Sequence, residues 1–337
     1  MTVLTQPLTG ALKRVLFHYH LHLVDFTQIG HVFKVKCLEG IYALKKIKTD
    51  ERAKRLLYMR RKFNALPLRT VPILHSMEGD LVVKEEGNYY YLTPWIDEVP
   101  FSDEKKVGYF VDCLAYLHHS TVEMEPVDDT EKVVRCVEAI KAKWRSYEEW
   151  LTAFVYRAEH TIYPSPFEQL VLAHYNAIIQ KTEQAIGAID KWKEVAVESP
   201  MQRLVLCHGQ PSIDHFICDN RGAQLLNLEA ATMDTPCLDI AAFIDSLSHS
   251  SVDLVKLLNI YEMSFPLRDN EKDLLVAFLH FPAAGYRTIL DYHHRREQGR
   301  ELETIRAFER VHHVQPKREE LIQVLHKSND EKDSAQD

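Results

Sequence analysis

Leu4, Leu8, Leu12 and Leu16 recur at helical spacing, so the chain opens with an amphipathic helix. Residues 24–48 then alternate apolar and polar and break at Glu39-Gly40, the pattern of a β-hairpin whose second strand ends near Lys45. Between 51 and 66, Ala53, Leu56, Leu57, Met59, Phe63 and Leu66 share one side of a helix that Pro67 ends. Two more strands, 81–84 and 89–92, turn at Glu86-Gly87-Asn88. The first ninety-odd residues thus read as an antiparallel sheet with one inserted helix.

From about residue 103 the pattern becomes helical. Helices are expected at 103–119, 130–158 and 167–194, the last two separated by Pro164-Ser165-Pro166. Two short apolar strands follow, then helices at 239–248, 251–262, 270–280, 282–294 and 301–313. This gives a β-rich lobe over 1–94, a connector at 95–100, and a helical lobe over 101–326 holding the motif strands near 204–229. The polar stretch 327–337 reads as a disordered tail. Trp144, Tyr147, Trp150 and Phe154 form a stripe at helical spacing that suits a substrate groove or, more often, packing between helices.

Composition narrows the classes of function. The net charge of −8, from 41 basic and 49 acidic residues, argues against a nucleic-acid partner, which needs clustered cations. Six cysteines without a C-x-x-C pair suit reduced thiols. Cys207 beside His208 suggests a Cys–His nucleophile, but strand neighbours point to opposite faces, so a buried Cys207 is expected instead. His18, His20 and His22 alternate without a metal-site pattern. No apolar run reaches the length of a membrane span, and the N-terminus lacks the features of a secretory signal; synthesis in the cytoplasm is the expectation.

The chemistry concentrates after residue 204. An apolar strand ends in Leu206-Cys207-His208-Gly209-Gln210, His215 follows five residues after Gln210, and Asn227 ends a second apolar run. This is the frame of a kinase-type phosphotransfer site, where an Asp orients the acceptor hydroxyl and an Asn and a second Asp hold magnesium. Here Gln210, His215 and Asn227 stand at those three positions, so neither a catalytic residue nor a metal ligand is expected among them. Carboxylates that could rescue the site are Asp214, through a shifted loop register, Glu229, two residues after Asn227 on the same strand face, and Asp234 in the following loop.

The Tyr42-Ala43-Leu44-Lys45 strand, the Pro94-Trp95 connector, the Leu114-Ala115-Tyr116-Leu117-His118 helix and the His208-Gly209 strand end form an ordered set. In that order and spacing the chain resembles the aminoglycoside phosphotransferase and choline kinase branch of the protein-kinase-like fold. Within it the chain is most similar to the spore coat kinase-like proteins of endospore-forming bacilli, the CotS and YutH group, and above all its YutH side. The resemblance runs from about residue 24 to 315.

It implies an α+β, two-lobed fold with a small antiparallel β lobe and a large helical lobe. It implies that Lys45 matches the lysine that pairs with nucleotide phosphates, and that His208 and Asp239 are structural, Asp239 starting the helix after Pro236. The glycine-rich loop is reduced to Gly30, and the helix after Lys45 offers only Glu51, early for an ion-pair partner. The expectation is a spore-coat-associated pseudokinase, a non-catalytic scaffold with other coat proteins as partners and no cofactor. The alternatives are an active ATP- and magnesium-dependent small-molecule phosphotransferase with an altered metal site, or an ATP-binding switch without turnover.

Overall fold

The computed structural model of the chain describes residues 5–127, 130–219, 222–247, 252–295 and 301–333. The elements run α1 (Thr5–Phe17), β1 (Leu23–Ile29), β2 (Val32–Cys37), β3 (Gly40–Ile47), α2 (Asp50–Asn64), β4 (Val83–Glu85), β5 (Asn88–Pro94) and α3 (Asp103–Ser120). There follow β6 (Glu123–Pro126), α4 (Thr130–Glu159), α5 (Pro166–Glu198), β7 (Met201–Cys207), β8 (Phe216–Asp219), β9 (Gly222–Leu225) and β10 (Thr232–Asp234). The chain closes with α6 (Pro236–Ser246), α7 (Leu254–Ser264), α8 (Asp269–His280), α9 (Ala283–Arg295) and α10 (Glu301–Asp333). A small antiparallel sheet precedes a larger helical region. Leu4 and positions 248 and 251, included in expected helices, lie outside the described residues, as does the side chain of Leu8.

Contacts divide the chain into two units, Met1–Cys113 with His208–Thr232, and Leu114–Cys207 with Met233–Asp337. In the first, the sheet order is β1-β2-β3-β5-β4. The expected hairpin of 24–48 is three strands, because a second turn forms at Gly30, whose φ of 58° is in the left-handed region. Alternation along β2 then assigns the faces. Phe33, Val35 and Cys37 pack with Leu12, Val15 and Leu16 of α1. Lys34 therefore lies on the other face, and the pairings Lys34–Ala43, Ala43–Thr93 and Lys45–Tyr91 extend that face across the sheet. That alternation is what turns Lys45 away from α1.

The segment 208–229, expected with the helical lobe, groups with the sheet unit. Thr70 bridges Leu225, Leu225 N donates to Arg69 O at 3.0 Å, and Val99 N donates to Cys218 O at 2.9 Å. Arg69 also pairs with Asp219 at 3.1 Å. A connector ladder of this kind is set by long-range backbone pairing and has no local signature.

The helical unit carries a three-stranded sheet in the order β10-β7-β6. Helix α5 starts as its Pro-Ser-Pro signal predicts, with a capping box between Ser165 and Glu168 and Pro166 in the first turn. The aromatic stripe of α4 is packing: Trp144 stacks on Phe281 with ring centres 4.8 Å apart, and Tyr147 meets Tyr286 at 5.4 Å. Two expectations need correction. Helix α10 does not stop near 313 but runs through Pro316 to Asp333, and 327–333 are helical instead of a disordered tail; 334–337 lie outside the described residues. Past the proline, buried Arg318 donates to Leu279 O at 2.6 Å and to Asp245 at 2.5 Å, and Lys181 pairs with Glu319. These anchors outweigh the one backbone bond that a proline removes.

This unit also buries histidine nitrogens. His280 Nδ1 and His312 Nε2 are shielded and find no partner among the described residues, and burial pushes both rings down to about 4, the neighbouring Lys181 adding to this for His280 and His174 for His312. Since the folded-state value lies below the unfolded one of about 6.5, the neutral rings favour folding above that value. Stability is lost as pH falls from about 6.5 through 4. Thermal unfolding at pH 7 and pH 4.5 should differ by several degrees, and the difference should shrink in His312→Leu.

Candidate functional site

The candidate site lies in the sheet unit, where β7 gives way to a loop. His208 is fully buried, its Nε2 2.8 Å from Leu226 O, while Gln210 N donates to its Nδ1 at 3.3 Å. Those partners select the tautomer with the proton on Nε2. Gly209 has a φ of 81°, and a Cβ there would fall 2.1 Å from Ala230 O, so no other residue fits without moving the loop. Gln210 is exposed, and its carbonyl meets His215 Nδ1 at 2.7 Å, which leaves Nε2 of His215 as that ring's acceptor. The His208 and His215 rings stack at 5.9 Å. The loop frame is thus present and held by hydrogen bonds at both histidines.

The second half of the site departs from expectation in one respect. Asn227 does not end a strand; it adopts φ 58°, ψ 49°, the left-handed conformation that asparagine tolerates, and starts a 3-10 turn at Leu228–Ala230. Glu229 therefore sits in that turn and not on a strand face. The turn folds back over the Lys45 face of the sheet. Lys45 Nζ donates to Asn227 Oδ1, and Tyr91 Oη donates to Glu229 Oε2 at 3.1 Å. Burial lowers Lys45 below the usual lysine range, and the charge of Glu229 partly opposes this. Burial, then the same carboxylate, push Tyr91 well above 10, so its hydroxyl remains a donor at neutral pH.

Lys45, Asn227, Tyr91 and Arg60 line a recess of about 320 Å³, part of it open to solvent. Arg60 reaches it from α2 and is itself held by Thr70 Oγ1 at 2.7 Å and Val71 O at 3.0 Å. Glu51, on the same helix, is exposed. Helix α2 thus presents a cation to the recess where a kinase-like site uses a carboxylate. Arg60 and Tyr91 escaped the sequence reading. Tyr91 was legible as the strand partner of Lys45, while Arg60 looked like one more basic residue on a helix.

The other expected positions separate. Asp214 is exposed within the 3-10 turn Ile213–His215, its backbone N capped by Ser212 Oγ at 3.3 Å. Asp234 belongs to β10 in the helical unit, not to a loop, and burial raises its carboxyl. Asp239 does not start helix α6. Thr235 caps it by accepting from Cys237 N at 3.4 Å. Asp239, one turn inside, lies 3.2 Å from His118 Nε2, and His118 Nδ1 lies 2.6 Å from Tyr261 Oη. Buried Cys207 completes a His118–Cys207–Asp239 cluster and donates to Thr235 O at 3.3 Å, its thiol pushed far up by burial. With both nitrogens of His118 already bonded, the cluster is an anchor.

Chemically, the residues at the three kinase-type positions are poor ligands for magnesium. The hard cation takes anionic oxygens, whereas Asn227 offers a neutral oxygen already occupied by Lys45, and His215 offers a nitrogen suited to softer metals. Gln210 has no basicity with which to take a proton from an acceptor hydroxyl. Among the three kinase-type positions nothing supplies negative charge. Glu229 is the carboxylate that interacts with Lys45.

The family described as Spore coat putative kinase YutH matches residues 13–325. Solved structures similar to this chain are phosphotransferases. An aminoglycoside phosphotransferase from Alicyclobacillus acidocaldarius is 16% identical with a TM-score of 0.69, covering 93% of this chain and 94% of its own. Spectinomycin phosphotransferase in complex with ADP and spectinomycin is 13% identical with a TM-score of 0.60, covering 89% and 93%. Choline kinase LicA from Streptococcus pneumoniae is 15% identical with a TM-score of 0.50, covering 91% and 98%. At these identities the likeness is one of fold.

Proposed function

The chain belongs to the spore coat kinase family of YutH, and from that premise we propose that it is a pseudokinase of the endospore, a binding or scaffold protein that transfers no phosphate. One observation carries the reading: the side chain at the magnesium-aspartate position, Asn227, is a hydrogen-bond partner of the phosphate-type lysine, Lys45. Lys45 keeps its positive charge, since its partner is a neutral amide, but that amide stands where a carboxylate would hold the metal that bridges the phosphates. Gln210 at the base position and His215 at the loop position support the same conclusion.

The partners we propose are other proteins of the spore coat, reached by a chain made in the cytoplasm and assembled there. No helix among the described residues is long and apolar enough to cross a membrane. In this role the protein needs no cofactor.

A second reading has its own observation. Lys45 and Arg60 line one recess, with Glu229 beside Lys45, so a nucleotide could bind by charge alone and act as a switch. Turnover would need ATP and magnesium, with Glu229 or Asp214 in a new role. Thermal unfolding with and without ATP, each with and without magnesium, separates the three. A ligand at about 100 times its dissociation constant adds about 2.7 kcal/mol. The pseudokinase reading expects no magnesium-dependent shift. A shift indifferent to magnesium would favour the switch, and a magnesium-dependent one the active enzyme.

A further inference from the structure

Helix α2 has two faces of opposite character. Ala53, Leu56, Met59 and Phe63 pack inward, and Arg60 on that side reaches the Lys45 recess. A period of 3.6 residues puts Lys54, Arg55, Tyr58, Arg61 and Lys62 together on the outer side. The first four are exposed, Tyr58 by 56%. Lys62 is half-buried, its Nζ 5.8 Å from the centre of the Tyr58 ring. Arg52, also exposed, extends the cations into the first turn.

The carboxylates near this face are Asp50 and Glu51, placed in the first turn where the helix dipole favours them. Asp50 is spent, pairing with Lys54 at 2.6 Å and accepting from Tyr89 Oη at 2.9 Å. Glu51 is left to offset the other cations. Among the described residues, the side chains of Arg52, Arg55 and Arg61 form no ion pair or hydrogen bond. Arg52 and Arg55, three positions apart, repel each other. This surplus of positive charge stands on a chain whose net charge is −8.

Arginines grouped around an exposed tyrosine are the composition of a binding surface, and carboxylates are the complement that the face lacks. A nucleic acid fits less well, because the acidic chain repels a long polyanion and Glu51 interrupts the cations. A lipid surface takes up apolar side chains, of which this face offers Tyr58. We propose that the outer face of α2 docks an acidic polypeptide segment, its carboxylates pairing with Arg52, Arg55 and Arg61 and an apolar side chain resting on Tyr58. Such docking does not depend on whether the Lys45 recess turns over ATP.

Fluorescence anisotropy on the full chain tests this, with the labelled peptide EELEELEE, its glutamine analogue QQLQQLQQ, oligothymidylate and phosphatidylglycerol vesicles as probes. Saturable binding of the glutamate peptide is expected, at least about tenfold weaker for the glutamine analogue and weakening as salt rises. The double variant Arg55→Gln with Arg61→Gln should weaken it at least about tenfold, and Tyr58→Ser about fivefold. Lys105→Gln, an exposed change on α3, should leave it unaltered. Absence of saturation, undiminished binding in the double variant, or an equal loss in Lys105→Gln would each overturn the assignment. Tighter binding of oligothymidylate or of the vesicles would also overturn it, giving the face to nucleic acid or to lipid.

Discussion

Asp239→Ala is expected to cost about 1–3 kcal/mol of stability, the range for leaving a buried polar group without its partner. Asp239 is 1% exposed and His118 is 0% exposed, so neither group can exchange its partner for water. The aspartate accepts from His118 Nε2 at 3.2 Å, while Tyr261 Oη, 2.6 Å away, occupies the other ring nitrogen. Alanine leaves the Nε2 proton without an acceptor and opens a cavity at the first turns of α6. Asp239→Asn keeps an acceptor oxygen and should lose much less. Denaturant unfolding of the three proteins checks the pair; a loss below about 1 kcal/mol in the alanine variant would mean that the anchor carries no weight.

The second large effect is expected at Gly209→Ala. A methyl group would stand 2.1 Å from Ala230 O and 2.7 Å from its carbonyl carbon, on a backbone already at φ 81°. The clash is with main chain, so no side-chain rotation relieves it, and the left-handed conformation adds about 1 kcal/mol. Relief requires the Leu228–Ala230 turn to move, and that turn carries Glu229 and follows Asn227. The variant should lose several kcal/mol. Its Lys45–Asn227 contact should open, readable as increased reactivity of Lys45 toward an amine-specific reagent. Wild-type stability and labelling would contradict the close approach.

Much of this architecture is local in origin and was readable before the structure. The β2 alternation that turns Lys45 away from α1 is a period-two pattern, the start of α5 is a capping signal, and His208-Gly209 marks the strand end. The resemblance to spore coat kinase-like proteins likewise rested on order and spacing, and the match over residues 13–325 agrees with it. What escaped is what tertiary contact decides. Asn227 enters the left-handed region because the turn after it must cover Lys45, so period counting put Glu229 on a strand that does not exist there. Arg60 is one of several basic residues on α2 until Thr70 and Val71 hold it. Pro316 reads as a helix stop, yet Arg318 and Glu319 anchor the continuation. Strand β6 (Glu-Met-Glu-Pro) has no strand signature of its own and exists through pairing with β7.

The proposed lack of phosphotransfer rests on Gln210, His215 and Asn227 and on the hydrogen bond from Lys45 to Asn227. The most direct test is incubation of the purified chain with γ-labelled ATP, magnesium or manganese, and mixed sugar, amine and protein acceptors, beside a Lys45→Ala control. Label no higher in wild type than in the control is the expected result. Stoichiometric transfer that disappears in Lys45→Ala would contradict it and make Glu229 the first residue to examine as a metal ligand.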